Sequence, residues 1–264
     1  MTLPELREAE APPEIAALYD EMRRTMRLPL VNLIYRHLAT MPGVLPFVWS
    51  LVRPAMVSGV LDAAHARVLA GTPPLALAPL EAGAFGRDRC AALAVVRSYN
   101  RGNGLNLVAL SAVRHALEDP GAIPVRPAPP AGAVADPVAR VPPIPKLADL
   151  SPEKAETVRG LAALHGGGAG VIPTLYLHLA HWPALLDALA DRLRPALADG
   201  SVARGRDAAV ALARDEARRL VPELAASAPP PREHLAAAAA VLDRFTRRVI
   251  PEMIPVGLAL ERLL

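Results

Sequence analysis

Aromatic residues are nearly missing from this chain, with two Trp, four Tyr and three Phe in 264 residues. An interior without large rings must be filled by Ala, Leu and Val, which suits closely packed helices. Cysteine occurs once, at Cys90. A single cysteine excludes an intrachain disulfide, a CxxC redox pair and a cysteine metal cage. In its Ala/Leu context Cys90 is expected to be a small buried hydrophobe. Sustained alternation of apolar and polar residues is absent, and runs of β-branched residues are short, so strands are not expected. No uncharged apolar run reaches the ~18–20 residues of a membrane span. The N-terminal stretch Met1–Glu8 carries acids and no apolar core, unlike a secretory signal. A cytoplasmic protein without a membrane partner is the expectation. Neither charge sign dominates, with 29 Lys and Arg against 26 Asp and Glu and a net charge of +3. Without a basic stripe or interleaved aromatics, nucleic acid is not an expected partner.

What is present is helical periodicity over almost the whole length, in a chain that is 52% hydrophobic and 21% charged. Helices are expected over 13–26, 29–40, 44–58, 61–71, 78–92, 92–118, 183–198, 202–226 and 232–264. Shorter ones are expected to open at Ser151 and Pro173, and a kink or break near Pro251 and Pro255. Residues 119–150 contain nine prolines. Proline fixes φ and removes a donor, so this stretch reads as an extended, semi-rigid connector. The expected organisation is therefore all-α, with units at 1–118 and 152–264 joined by a proline-rich linker at 119–151.

The two units share an ordered set of matches. Pro13-Glu14-Ile15-Ala16 matches Pro152-Glu153-Lys154-Ala155. Tyr35-Arg36-His37-Leu38-Ala39-Thr40-Met41-Pro42 matches Tyr176-Leu177-His178-Leu179-Ala180-His181-Trp182-Pro183. Arg97–Leu110 can be laid on Asp243–Val256, pairing Tyr99 with Phe245. The order of the three matches predicts a single-chain pseudo-dimer, packed face to face, with a ligand pocket between its halves. A homodimer of whole chains is also compatible with it.

Few polar groups stand out. Asn100, Asn103 and Asn106 interrupt an apolar helix at a spacing of three, and buried amides need partners, so they mark a candidate polar pocket. Glu252 sits in Val249-Ile250-Pro251-Glu252-Met253-Ile254-Pro255 and is a candidate acid/base or a salt-bridge partner for Arg101, Arg247 or Arg248. His178 and His181 lie one turn apart, but no third metal ligand is evident, and His37 is the repeat partner of His178. Gly166–Gly170 before a helix lacks the strand and the Lys-Ser/Thr of a phosphate loop. No serine-nucleophile elbow or dinucleotide fingerprint is present, and no cofactor is expected.

Tyr19-Asp20-Glu21-Met22-Arg23, Arg27-Leu28-Pro29, Leu38-Ala39-Thr40-Met41-Pro42-Gly43-Val44-Leu45-Pro46 with Trp49, Tyr99-Asn100-Arg101-Gly102-Asn103 and Leu179-Ala180-His181-Trp182-Pro183 together resemble the group I 2-haloacid dehalogenases, the DehI type. The resemblance spans both halves in order. It implies an all-α pseudo-dimer and a pocket between the halves, where an aspartate activates water for direct attack on the α-carbon of a 2-haloacid. Carried over residue by residue, the aspartate falls on Leu175 and its serine neighbour on Thr174, beside Tyr176. An aromatic pair falls on Leu30 and Leu33, flanking Asn32, and a tyrosine of the last helix falls on Leu242. The asparagine that helps hold the water is matched by Asn103. Leucine accepts no proton, so Glu252 and Asn103 are the remaining catalytic candidates. Asn32, Leu30, Leu33, Asn100, Asn106, Thr174, Leu175 and Tyr176 are the candidate substrate contacts. The implied function is a hydrolase acting on a small organic acid or halo-acid. The alternative is a non-catalytic protein on the same scaffold that binds a small molecule or serves as an interaction module. A looser similarity, to carboxymuconolactone decarboxylase and AhpD-type helical proteins, loses its redox version because Cys90 stands alone.

Overall fold

A computed structural model describes residues 3–81, 83–118, 140–165, 171–225 and 229–264. All regular structure among them is helical. Eleven α-helices follow in order: α1 (Pro13–Met26), α2 (Leu33–Leu38), α3 (Val44–Val57), α4 (Val60–Gly71), α5 (Gly86–Glu118), α6 (Pro152–Leu164), α7 (Thr174–Leu179), α8 (Pro183–Ala198), α9 (Ser201–Leu220), α10 (Arg232–Arg244) and α11 (Ile250–Leu263). A π-turn, Phe245–Val249, joins α10 to α11.

Several boundaries differ from the sequence expectation, each for a local reason. The second helix opens at Leu33 rather than Pro29, because Arg27 ends α1 in the left-handed region (φ 54°) and the Val31 amide donates to Glu8 Oε1 instead of a helical carbonyl. The expected pair 78–92 and 92–118 is one helix of 33 residues, and 73–81, punctuated by Pro73, Pro74 and Pro79, has no regular structure. The last segment is not broken: α10 runs through the π-turn Phe245–Val249 directly into α11, and this widened turn immediately precedes Pro251, which has no N–H to donate to the preceding turn. Cys90 is exposed, not buried, because it lies in the first, outward-facing turns of α5. Both Gly166–Gly170 and linker residues 119–139 lie outside the described residues. The rest of the linker, from Arg140, is extended except for a 3₁₀ turn at Leu147–Asp149. Its apolar side chains Val141, Ile144, Leu147 and Leu150 pack on the core.

Two buried cores build the interior. The first joins α1–α4 to the C-terminal part of α5, with Ala238, Leu242 and Phe245 from α10 and the π-turn. The second joins α6–α8 to Ala92, Val96 and Tyr99 from the N-terminal part of α5 and to the C-terminal part of α11. One interval, 146 residues, separates Ala92 from Ala238, Val96 from Leu242 and Tyr99 from Phe245. A second interval, 141 residues, separates Pro54 inside α3 from Pro195 inside α8. It also separates Gly59 (φ 80°) from Gly200 (φ 81°), which turn the corners into α4 and α9 in a left-handed conformation that glycine adopts without strain. We propose that residues 1–118 and 152–264 are copies of one helical unit related by a pseudo-twofold axis, with α10, the π-turn and α11 together corresponding to α5.

No single helix among the described residues is long and apolar enough to cross a membrane. Helices α3 and α4 pass jointly on length and composition, but they are bent by 87°, and α3 is largely buried in the first core.

Candidate functional site

Where α2, α5, α7 and the π-turn with α11 meet, they line a partly open cavity of about 40 Å³. A water molecule needs ~10–15 Å³ by the same kind of measure, so the space suits two or three waters or a very small organic group. Ten of its lining residues fall into five pairs at the same intervals of 141 and 146 residues: Asn32 with Pro173, Leu33 with Thr174, Ile34 with Leu175, Tyr99 with Phe245 and Asn103 with Val249. Asn106, Ile250 and Met253 complete the wall.

The two long-helix walls differ in chemistry. Tyr99, Asn103 and Asn106 follow an i, i+4, i+7 spacing and share one face of α5. Across the cavity, Phe245, Val249, Ile250 and Met253 supply an apolar face. The extra residue of the π-turn lies at this wall, a placement common for π-turns at functional sites. Asn106 is 1% exposed, and neither its Nδ2 nor its Oδ1 has a hydrogen-bond partner; Oδ1 of buried Asn32 is also unpaired. Such groups cost about 1–3 kcal/mol each when left unpaired.

Six of the expected site residues therefore converge: Asn32, Leu33, Asn103, Asn106, Thr174 and Leu175. Four do not line this cavity. Leu30 lines a neighbouring one. Asn100 is turned toward α11, where its Nδ2 donates to Gly257 O (3.1 Å) and Glu261 Oε2 (2.7 Å). The helices approach so closely there that a Cβ on Gly257 would lie 1.9 Å from Asn100 Oδ1. Tyr176 is fully buried, with its hydroxyl 2.7 Å from His165 Nε2. Glu252 faces away from the cavity. Its carboxylate meets Arg206 Nη1 (3.2 Å), Arg248 Nε (3.3 Å) and His165 Nδ1 (3.4 Å). The alternative partners weighed for it in the sequence, Arg101 and Arg247, bond instead to Asp62 and Asp243. Tyr99 and the apolar wall carried no functional signal in the sequence beyond the pairing of Tyr99 with Phe245 and the place of Tyr99 in the family-like segment Tyr99–Asn103.

Among the described residues, Tyr99 is the one titratable side chain lining the cavity, and burial pushes its phenol up to about 12. Its hydroxyl stands 3.5 Å from Nδ1 of His178, whose Nε2–H donates to Pro142 O at 2.7 Å. That bond leaves Nδ1 as an acceptor. Burial first, and then His181, push the imidazole down to about 4, so both rings are neutral at pH 7. His181 Nε2 lies 2.7 Å from Pro143 O, so the two histidines fasten the linker rather than a metal. No group of three metal-ligating side chains converges among the described residues.

The His178 shift has a stability consequence. The unfolded imidazole, near 6.5, takes up a proton before the folded one does, so the unfolded state binds more protons between pH 6.5 and 4. Stability is full above that window and falls through it, by on the order of 2–3 kcal/mol. Melting curves of the wild type and His178→Gln between pH 7 and 4 should show a steeper loss for the wild type. Parallel curves would contradict the assignment.

No family model matches the sequence, and no curated protein sequence matches it. The fold does match solved structures. A D-2-haloacid dehalogenase mutant in complex "with D-2-CPA" superposes with a TM-score of 0.76 at 15% identity, covering 99% of this chain and 95% of that one. A mutant of the enzyme named without that ligand gives 0.77 at 15% identity with the same coverage. A complex of the dehalogenase "with L-LA" gives 0.72 at 16% identity over 99% and 94%. The chain thus has the fold of the D-2-haloacid dehalogenases along its whole length.

Proposed function

We propose that this protein, on the scaffold it shares with D-2-haloacid dehalogenases, binds a small uncharged molecule in the cavity between its halves and does not hydrolyse a carbon–halogen bond. The observation that carries this reading is the pairing of unpartnered amide groups with the lack of any charged side chain at the cavity wall. Asn32 offers an acceptor and Asn106 offers both an acceptor and a donor. A primary amide or an alcohol answers that pattern. A carboxylate would be buried there with no cation facing it, which costs several kcal/mol. The small acids named with the related structures are the ligands of those proteins. Here, Leu175 occupies the position that the resemblance gives to the water-activating aspartate.

The test is ligand-detected NMR with propionamide on the wild type and on Asn106→Leu. We expect saturable binding to the wild type and a loss of about tenfold or more in the variant, the effect of removing a buried two-bond partner. Equal binding to both would remove the cavity from consideration.

A second reading keeps catalysis, as a hydrolase of a small organic acid in the same cavity. Its one supporting feature is the Tyr99 hydroxyl beside the neutral acceptor nitrogen of His178. On that reading, turnover of a small acid or its ester would vanish in Tyr99→Phe.

A further inference from the structure

A second, larger cavity of about 310 Å³ adjoins the first. Thr174 lines both, and the rest of the partition is the Tyr99–His178 pair, with Tyr99 on the inner side and His178 on the outer. Its size lies at the lower end of the range for pockets that enclose a small organic ligand. Its walls are largely apolar, including Pro29, Leu30 and Leu177 on one side. Val141 and Ile144 of the linker strap close the other side, and the bond from His178 to Pro142 O holds the strap in place. Four charged side chains, Glu5, Arg7, Glu8 and Arg36, also line it, and each is held in an ion pair. Arg36 and Arg7 both pair with Glu5, and Glu8 pairs with Arg23 and accepts from the Val31 amide. The chamber thus presents apolar surface and no spare charge.

We propose that the two cavities form one binding site for a linear amphiphile, with an amide or alcohol head at Asn32 and Asn106 and an aliphatic tail in the strap-covered chamber. The proposal rests on the function read above and adds the class of ligand. The inner space alone is too small for more than a short head group, and the outer space is mostly apolar, with its four charged side chains held in ion pairs. Each is completed by the other across Thr174. The linker then does more than connect the halves, because Val141 and Ile144 become part of the tail's wall.

The test is a calorimetric series of n-alkanamides from propionamide to octanamide. Burial of each added methylene should tighten binding about three- to fourfold, reaching about 10²–10³-fold across the series. Leu30→Trp and Ile144→Trp, placed on opposite walls, should each remove most of that gain while leaving propionamide binding as in the wild type. Melting curves of both variants check that they fold, and the wild-type series stands without them. If propionamide binds but affinity does not rise with chain length, the two-chamber site is wrong and the inner binding site stands. If neither propionamide nor octanamide binds, both readings fail.

Discussion

Incubated with D- or L-2-chloropropionate, the purified protein should release halide at least about 10²–10⁴-fold more slowly than a dehalogenase of the same fold that carries the water-activating carboxylate. The reasoning runs from one side chain. Attack by water on an α-carbon requires that a proton leave the water as the bond forms, and a positioned general base contributes that factor. Leu175 lines the cavity where the resemblance puts the base, and it accepts no proton. The other candidate, Glu252, faces Arg206, Arg248 and His165. Neutral Tyr99, at about 12, is a proton donor rather than an acceptor at pH 7. Chromatographic halide detection on the wild type and Leu175→Asp checks this. Turnover by the wild type at a rate typical of such enzymes would show that another base serves the cavity.

Glu252→Ala should lower stability by about 2–3 kcal/mol, a fall in Tm of roughly 5–10 °C. The carboxylate is 6% exposed and pairs with two guanidinium groups, with the His165 imidazole 3.4 Å away. Removing it leaves Arg206, itself mostly buried, with only Asp207 as a partner, and frees His165 next to Tyr176. Arg248 is 42% exposed and regains water, which keeps the loss below that of a fully enclosed pair. Thermal unfolding measures the effect. A catalytic Glu252 would instead give a variant with near-normal Tm and no activity.

Much of this architecture was legible in the sequence, because repeats and helical periodicity are written in the order of residues. Tyr99 and Phe245, matched in the sequence, both line the cavity, while Tyr35 and Tyr176 lie in the short helices α2 and α7 beside it. The asparagine cluster was legible as a polar pocket, but only Asn103 and Asn106 share the cavity face; Asn100, one residue out of register, serves the close α5–α11 contact. Glu252 looked isolated because its partners Arg206 and His165 are distant in sequence and meet it only after folding. The exposure of Cys90 depends on where α5 begins, and positive φ at Gly83, Phe85 and Gly86 keeps the backbone out of the helix until Gly86. The π-turn, which sets the apolar wall, leaves no mark in the sequence beyond the nearby Pro251.

The central claim is that the cavity between the halves is neutral and reads hydrogen bonds rather than charge. The most direct measurement is the affinity of the wild-type protein for propionamide against propionate, two ligands of nearly equal size, at pH 7 by calorimetry. The account predicts that propionamide binds at least about tenfold more tightly, since the carboxylate would be desolvated with no cation facing it. Propionate binding as tightly as the amide, or more tightly, would contradict it.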